Sequence, residues 1–538
     1  MIQQPVNGNL DELEYEVSRR RTLAIISHPD AGKTTLTEKL LLYAGAVELA
    51  GAVRARKNQH HATSDWMELE QQRGISITTA ALQFDCKGYR INLLDTPGHQ
   101  DFSEDTYRTL MVTDSAVMVL DSAKGIEPQT KKLFQVCRLR HTPILTFINK
   151  LDRPGQDPLG LLDEIEQVLG IGPVPVNWPI GNGPTFKGVY DLWKNQVLLF
   201  ERTEHGQRRA PVKVHNLYDP MLPGLLGRAE YQRLVDEIEL LTAAGTAFNR
   251  AEFLAGEITP VFFGSAINNF GLETFLQAVL ELAPPPGSHQ AQNNIISPVD
   301  PEFSGQIFKI QANMDPQHRD RVAFMRVFSG RFEKDMLLYN SRLGRKVRIS
   351  RAYRFFARER EIVEEAFPGD VVGLANPGLF NIGDTLCTGK PIKFGAIPRF
   401  QPEHFCILHN QQVAKYKQFN KGLEQLEEEG AIQVLFFPDN LRREPILAAV
   451  GELQFDVVVA RLKAEYGVET SVDRLPFTCA RWMEGDPREQ AGIIWPSRSR
   501  LAIDRNERRV VLFPSEWELN YCQEKNPGLK LREMGMAE

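Results

Sequence analysis

The stretch Ser27-His28-Pro29-Asp30-Ala31-Gly32-Lys33-Thr34-Thr35 places a lysine and a hydroxyl directly after a turn that opens a helix. Backbone N–H groups point outward at a helix start, and the helix dipole favours negative charge there. Lys33 adds a full positive charge suited to the β- and γ-phosphates of a nucleotide, and the Thr34 hydroxyl suits Mg²⁺, which takes few protein ligands. The spacing follows G-x-x-x-x-G-K-[ST], with Ser27 in place of the first glycine. Ser76, in Arg73-Gly74-Ile75-Ser76-Ile77-Thr78, is expected to give Mg²⁺ a second hydroxyl from a mobile loop that closes over the γ-phosphate. In Asp95-Thr96-Pro97-Gly98-His99 the carboxylate can hold a Mg²⁺-bound water, and Gly98 can bring its N–H close to the γ-phosphate. His99 then sits beside the attacking water as the candidate catalytic residue. Phosphoryl transfer needs positioning and charge stabilisation, so an imidazole that orients water suffices.

A base-reading group follows in Asn149-Lys150-Leu151-Asp152. Asp152 can accept from the guanine N1–H and exocyclic amine; adenine has neither donor there and would leave the carboxylate unpaired. Asn149 is expected to bond the base edge, and the Lys150 stem to cover the base face. Backbone N–H groups at Ser265 and Ala266 are expected to meet the guanine oxygen. The bound molecules are therefore GTP or GDP with Mg²⁺.

These residues need strands to carry them. Leu23–Ile26, Arg90–Asp95, Ala116–Asp121 and Pro143–Ile148 are largely apolar runs that lead into the motifs, with helical segments between them. The pattern predicts an α/β, mainly parallel sheet with the nucleotide at the strand C-terminal ends. A GTP-binding domain spans 1–288, opening on a polar helical lead-in, and an inserted subdomain occupies about 165–258 because the gap from Asn149 to Ser265 is too long for one loop. Residues 284–301 read as a linker. A small β-barrel is expected over 300–392, and a C-terminal α+β domain over 400–538, whose strand-helix-strand-strand-helix-strand order suits a ferredoxin-like module with helices near 411–429 and 452–466. The tail from 475 is apolar enough to pack onto that module.

With 69 acidic and 63 basic residues, the chain as a whole is not a nucleic-acid binder, so any such contact must be local. The barrel carries a candidate patch in Arg342, Arg345, Lys346, Arg348, Arg351, Arg354, Arg358 and Arg360, interrupted by Glu359. The six cysteines form no C-x-x-C pair and read as reduced thiols of a cytoplasmic protein. No apolar run is long enough to span a membrane, so no membrane role is expected.

Together these motifs resemble the translational GTPases, in which a histidine follows Asp-Thr-Pro-Gly and positions the hydrolytic water; His99 matches it. Ser76 replaces the usual threonine of that group and keeps the hydroxyl. Ser27–Thr35, Ser64-Asp65-Trp66-Met67 and Gln72–Thr78 are similar to the class II bacterial release factors, a likeness that extends through the C-terminal part. That resemblance implies a monomeric GTPase that works on the ribosome, meets ribosomal RNA and proteins, and speeds removal of class I release factors after peptide release. A translocase-like factor is the alternative within the group, disfavoured by chain length. A GTP-dependent binding switch that does not hydrolyse is the alternative of another class, disfavoured by His99.

Overall fold

The structure, a computed structural model, describes residues 9–46, 70, 75–201, 210, 212–245, 247–292, 294–312, 321–356, 359–397, 400–438, 444–484 and 493–532. The Ser64–Met67 stretch and, of the expected mobile loop, Arg73 and Gly74 lie outside them. A lead-in helix, Asn9–Ser18, runs into β1, Arg20–Ser27, which is buried along its whole length. The strands β2 (Ala80–Cys86), β3 (Tyr89–Asp95), β4 (Ser115–Asp121) and β5 (Ile144–Asn149) follow. Next come β6 (Gly172–Pro175), then β7 (Asn177–Ile180), β8 (Gly188–Asp191), β9 (Gln196–Phe200) and β10 (Val212–His215), and finally β11 (Ile258–Phe263). The sheet runs β2-β3-β1-β4-β5-β11-β6, parallel throughout except for β2 against β3.

Alternate residues of these strands feed two cores. Leu23, Ile25, Val117 and Val119 face helices Lys33–Ala44 and Leu272–Leu282; Ala24, Ile26, Met118 and Leu120 face helix Pro128–Leu139. Because β1 lies between β3 and β4, the turn after β1 opens where the strand order reverses, the usual crevice for a ligand in such sheets. The excursion before β11 holds a separate antiparallel sheet, β10-β9-β8-β7, but β6 at 172–175 pairs with β11. The insertion therefore leaves the main sheet after residue 175 rather than near 165. The expected linker at 284–301 contains a short hairpin, His289–Ala291 with Asn294–Ile296.

Beyond it, strands from Ser304 to Cys387 wrap one apolar core that includes Phe303, Met325, Phe332 and Leu374. Their sheet is continuous with that of the GTP-binding domain through Phe356 against Leu82. Charge also ties the two. Fully buried Arg326 bonds Asp114 at 2.5 Å, Thr22 and the Gly369 carbonyl, and Arg20 bonds Asp370 at 2.8 Å. In the C-terminal module the sheet order His404–Asn410 beside Pro445–Ala449, with Thr470–Leu475 and Gln433–Phe436 outermost, is that of a ferredoxin-like fold. Helices Tyr416–Glu428 and Leu453–Tyr466 pack against one another beside it. The tail does more than pack on it. Arg500–Asp504 pairs with Gln433–Phe436 and extends the same sheet to eight strands. Among the described residues, no helix is long and apolar enough to cross a membrane.

Candidate functional site

The C-terminal ends of β1, β3 and β5 open into one solvent-accessible cavity of about 310 Å³. The phosphate loop forms its floor. Asp30 and Gly32 take positive φ values of 65° and 93°, which turn the chain so that Lys33–Ala44 starts with its first N–H groups at the cavity. A side chain at Gly32 would be strained and would also overlap the Asn149 amide. Lys33 Nζ bonds Asp95 Oδ1 at 2.6 Å. Asp95 Oδ2 is buried without a hydrogen-bond partner. Thr34, Thr35, Ser76, Gly98 and His99 line the same space. Asp95, Thr96 and Pro97 sit behind it: Thr96 Oγ1 donates to the Ile25 carbonyl at 2.6 Å, and Thr106 Oγ1 to the Pro97 carbonyl at 3.0 Å. Gly98 rests against the Pro29 backbone, 3.4 Å from where a Cβ would stand.

His99 Nδ1 lies 3.2 Å from the Asp101 backbone N and 3.1 Å from Asp101 Oδ1. His28 Nε2 is 3.1 Å from Glu127 Oε1. The loop bearing Ser76 is anchored by a residue that gave no sequence signal: buried Glu70 accepts the Ile77 and Thr78 N–H groups at 2.9 and 3.1 Å. Immediately after it, Lys309 of the barrel bonds the Thr79 carbonyl at 2.7 Å and Asp105 at 3.2 Å. Burial favours the neutral Asp105 acid, but the Lys309 charge and the Thr79 hydrogen bonds outweigh it and hold the carboxyl below its ordinary range.

At the far side Asp152 faces the cavity, with Arg153 and exposed Ile267 beside it, neither singled out from sequence. Ser265 Oγ donates to Asp152 Oδ1 at 2.6 Å and accepts from Asn268 Nδ2 at 3.2 Å. Lys150 lines the cavity while its ammonium is held by Asp121 at 2.8 Å. Burial alone would raise the Asp121 carboxyl, but the bonded Lys150 keeps it below its usual range. Leu151 is a fully buried core residue rather than a lining one.

Asn149 lines the cavity too: Nδ2 donates one hydrogen to the Ala31 carbonyl at 2.9 Å, Oδ1 accepts the Ala266 N–H at 2.9 Å, and Nδ2 carries a second hydrogen beyond these bonds. It clamps the phosphate loop to the Ser265–Ala266 loop. The expected donors to the guanine oxygen are likewise engaged inside the protein, Ala266 N–H by Asn149 and Ser265 N–H by the Phe270 carbonyl at 3.1 Å. The barrel's basic patch is also smaller than its sequence. Arg342 is bonded through two nitrogens to Asp384, Arg354 is half-buried, Arg360 covers the Tyr353 ring, and Arg358 lies outside the described residues. Arg345, Lys346, Arg348 and Arg351 remain exposed.

A phosphate loop at the reversal point of a parallel sheet, with an aspartate set past β5 across the same cavity, defines a P-loop GTPase domain. Residues 18–285 match the family model described as elongation factor Tu GTP binding domain, 302–389 the one for elongation factor G domain 2, and 394–523 the one for the class II release factor RF3 C-terminal domain. A protein of Gloeobacter violaceus called peptide chain release factor 3 is 58% identical, over 97% of this chain and 98% of its own. One of Symbiobacterium thermophilum with the same name is 55% identical, over 98% and 100%. The chain belongs to the peptide chain release factor 3 family. A Thermus thermophilus protein of known crystal structure shares the fold at TM-score 0.67 and 22% identity, covering 87% of this chain and 71% of that one.

Proposed function

We propose that this chain is a ribosome-stimulated GTPase of translation termination, which promotes dissociation and recycling of class I release factors after peptide release. One observation carries the reading. Lys33, Thr34, Ser76, His99 and Asp152 share a single cavity in a chain whose relatives are peptide chain release factors along their full length. The phosphate-loop N–H groups and Lys33 hold the β- and γ-phosphates. Asp152, oriented by Ser265, accepts from the guanine edge, and the Lys150 stem lies along the base. Thr34, Ser76 and, through water, Asp95 would hold Mg²⁺; two hydroxyls beside a carboxylate with one unpartnered oxygen suit that ion. When bound, Mg²⁺ neutralises phosphate charge.

His99 orients a water for in-line attack on the γ-phosphorus, the bond to the bridging oxygen breaks, and GDP and phosphate leave. Phosphate loss removes the contact that holds Ser76, and the change reaches the barrel through Thr79, Asp105 and Lys309. Exposed Arg345, Lys346, Arg348 and Arg351 meet ribosomal RNA phosphates. The factor acts as a monomer in the cytoplasm. Replacing His99 with Ala is expected to leave GTP affinity within about two-fold and to reduce ribosome-stimulated hydrolysis by about 10²-fold or more, within the usual contribution of one positioned group. Full turnover in that variant would remove His99 from the mechanism.

A further inference from the structure

Asp101 stands where two parts of the molecule meet. Its Oδ1 lies 3.1 Å and its backbone N 3.2 Å from His99 Nδ1, which donates to the first in one tautomer or accepts from the second in the other. Its other oxygen, Oδ2, accepts the Leu453 N–H at 2.7 Å. Leu453 begins the 14-residue helix Leu453–Tyr466 of the C-terminal module, and no side chain of its own N-cap residue, Glu452, bonds the helix start. The carboxylate that caps this helix therefore comes from the GTP-binding domain, 352 residues earlier in the chain. Around this bond Ile77, next to Ser76, packs with Phe102, Leu453 and Val457 in a small apolar cluster of its own. A Cβ at Gly451 would overlap the Asp101 carboxyl, so the module approaches this side chain as closely as a glycine allows.

We infer that Asp101 is a positioning residue for His99, and that it holds the imidazole in its working orientation only while the C-terminal helix is docked on it. The inference rests on His99 as the water-orienting residue and adds what sets its ring. With the ring proton on Nδ1, that nitrogen donates to Oδ1 while the helix N–H donates to Oδ2, and these two bonds to the carboxylate act together. The helix N–H fixes one oxygen, which leaves the other directed at Nδ1 and presents Nε2 as the ring's remaining nitrogen. When the module swings away, Asp101 loses its anchor and His99 its fixed orientation. Hydrolysis is thereby coupled to where the C-terminal module sits on the ribosome, through a side chain that touches neither nucleotide nor water.

The test is single-turnover GTP hydrolysis on ribosomes by the full-length protein, with Asp101→Ala, Gly451→Ala and His99→Ala, and each of the first two combined with the third. Asp101→Ala and Gly451→Ala are each expected to lower the maximal rate about 10-fold or more, with GTP affinity and the half-saturating ribosome concentration changed by less than about three-fold. In the His99→Ala background neither is expected to change the residual rate by more than about two-fold, because the group they position is gone. Full rate in both single variants, or equal losses with and without His99, would overturn the inference and leave Asp101 a structural cap. Full turnover in His99→Ala alone would instead overturn the assignment of His99 on which the inference stands. Gly451→Ala keeps the Asp101 side chain and lies far from the nucleotide in sequence, so its result stands even if Asp101→Ala folds poorly.

Discussion

Replacing Asp152 with Asn tests how the base is read. Asn268 Nδ2 donates to Ser265 Oγ at 3.2 Å, which leaves the Ser265 hydroxyl hydrogen for Asp152 Oδ1 at 2.6 Å. In Asp152→Asn the same hydroxyl goes on donating to the amide oxygen, so Nδ2 takes the place of the second carboxylate oxygen, toward the cavity. Guanine then meets a donor where it had an acceptor. It loses the exocyclic-amine bond outright and the charge from the N1–H bond, at most about 1.5–3 kcal/mol each, or up to about 3–6 kcal/mol in all. GTP affinity is expected to fall by up to about 10²–10⁴-fold. Xanthine carries a carbonyl in place of the exocyclic amine and can accept from Nδ2, so xanthosine triphosphate should gain while GTP loses. Equilibrium titration with fluorescent analogues of both nucleotides reads the two changes together. GTP affinity within three-fold of the parent, with no gain for xanthosine triphosphate, would refute the geometry argued for Asp152 and Ser265.

Asn149→Ala is expected to weaken GTP, GDP and xanthosine triphosphate together, with no change in base preference. It strands the Ala31 carbonyl and the Ala266 N–H at about 1–3 kcal/mol each, under phosphate and base alike; nucleotide titration checks it, and a loss confined to guanine nucleotides would contradict it. Stability should also carry a histidine signature. His289 packs tilted against Phe328 with ring centroids 4.0 Å apart, and its Nε2 is buried without a partner. Burial, then the Arg326 and Arg140 charges, push its pKa down to about 3. The folded protein therefore holds this ring neutral where the unfolded chain, titrating near pH 6.5, takes up a proton. Stability from this group is in full above about pH 6.5 and falls as pH drops toward about 3, with a slope of at most about 1.4 kcal/mol per pH unit. His289→Phe should remove that slope from denaturant midpoints measured across the window, and parallel profiles for parent and variant would contradict it.

The phosphate loop was readable from sequence because its parts are contiguous: a buried strand, a turn with Gly32 at positive φ, and a helix start. Asp152 was readable for the same reason. The inward bonds of Asn149 were not, since its two partners lie 118 and 117 residues away and a motif says nothing of what stands behind it. The same limit hid Glu70, which works through backbone N–H groups that carry no side-chain signature. Periodicity placed both helices of the C-terminal module within a few residues, yet it could not show that Arg500–Asp504 would extend the module's sheet, because edge pairing depends on register between distant strands. The basic patch was overcounted because Asp384, far along the chain from Arg342, neutralises it.

The most direct measurement is the dissociation rate of a labelled class I release factor from ribosomes that have released their peptide, with GTP present and this protein added or withheld. A clear acceleration by the parent chain is the expected result. An unchanged rate, alongside intact ribosome-stimulated hydrolysis, would contradict the termination role while leaving the GTPase in place.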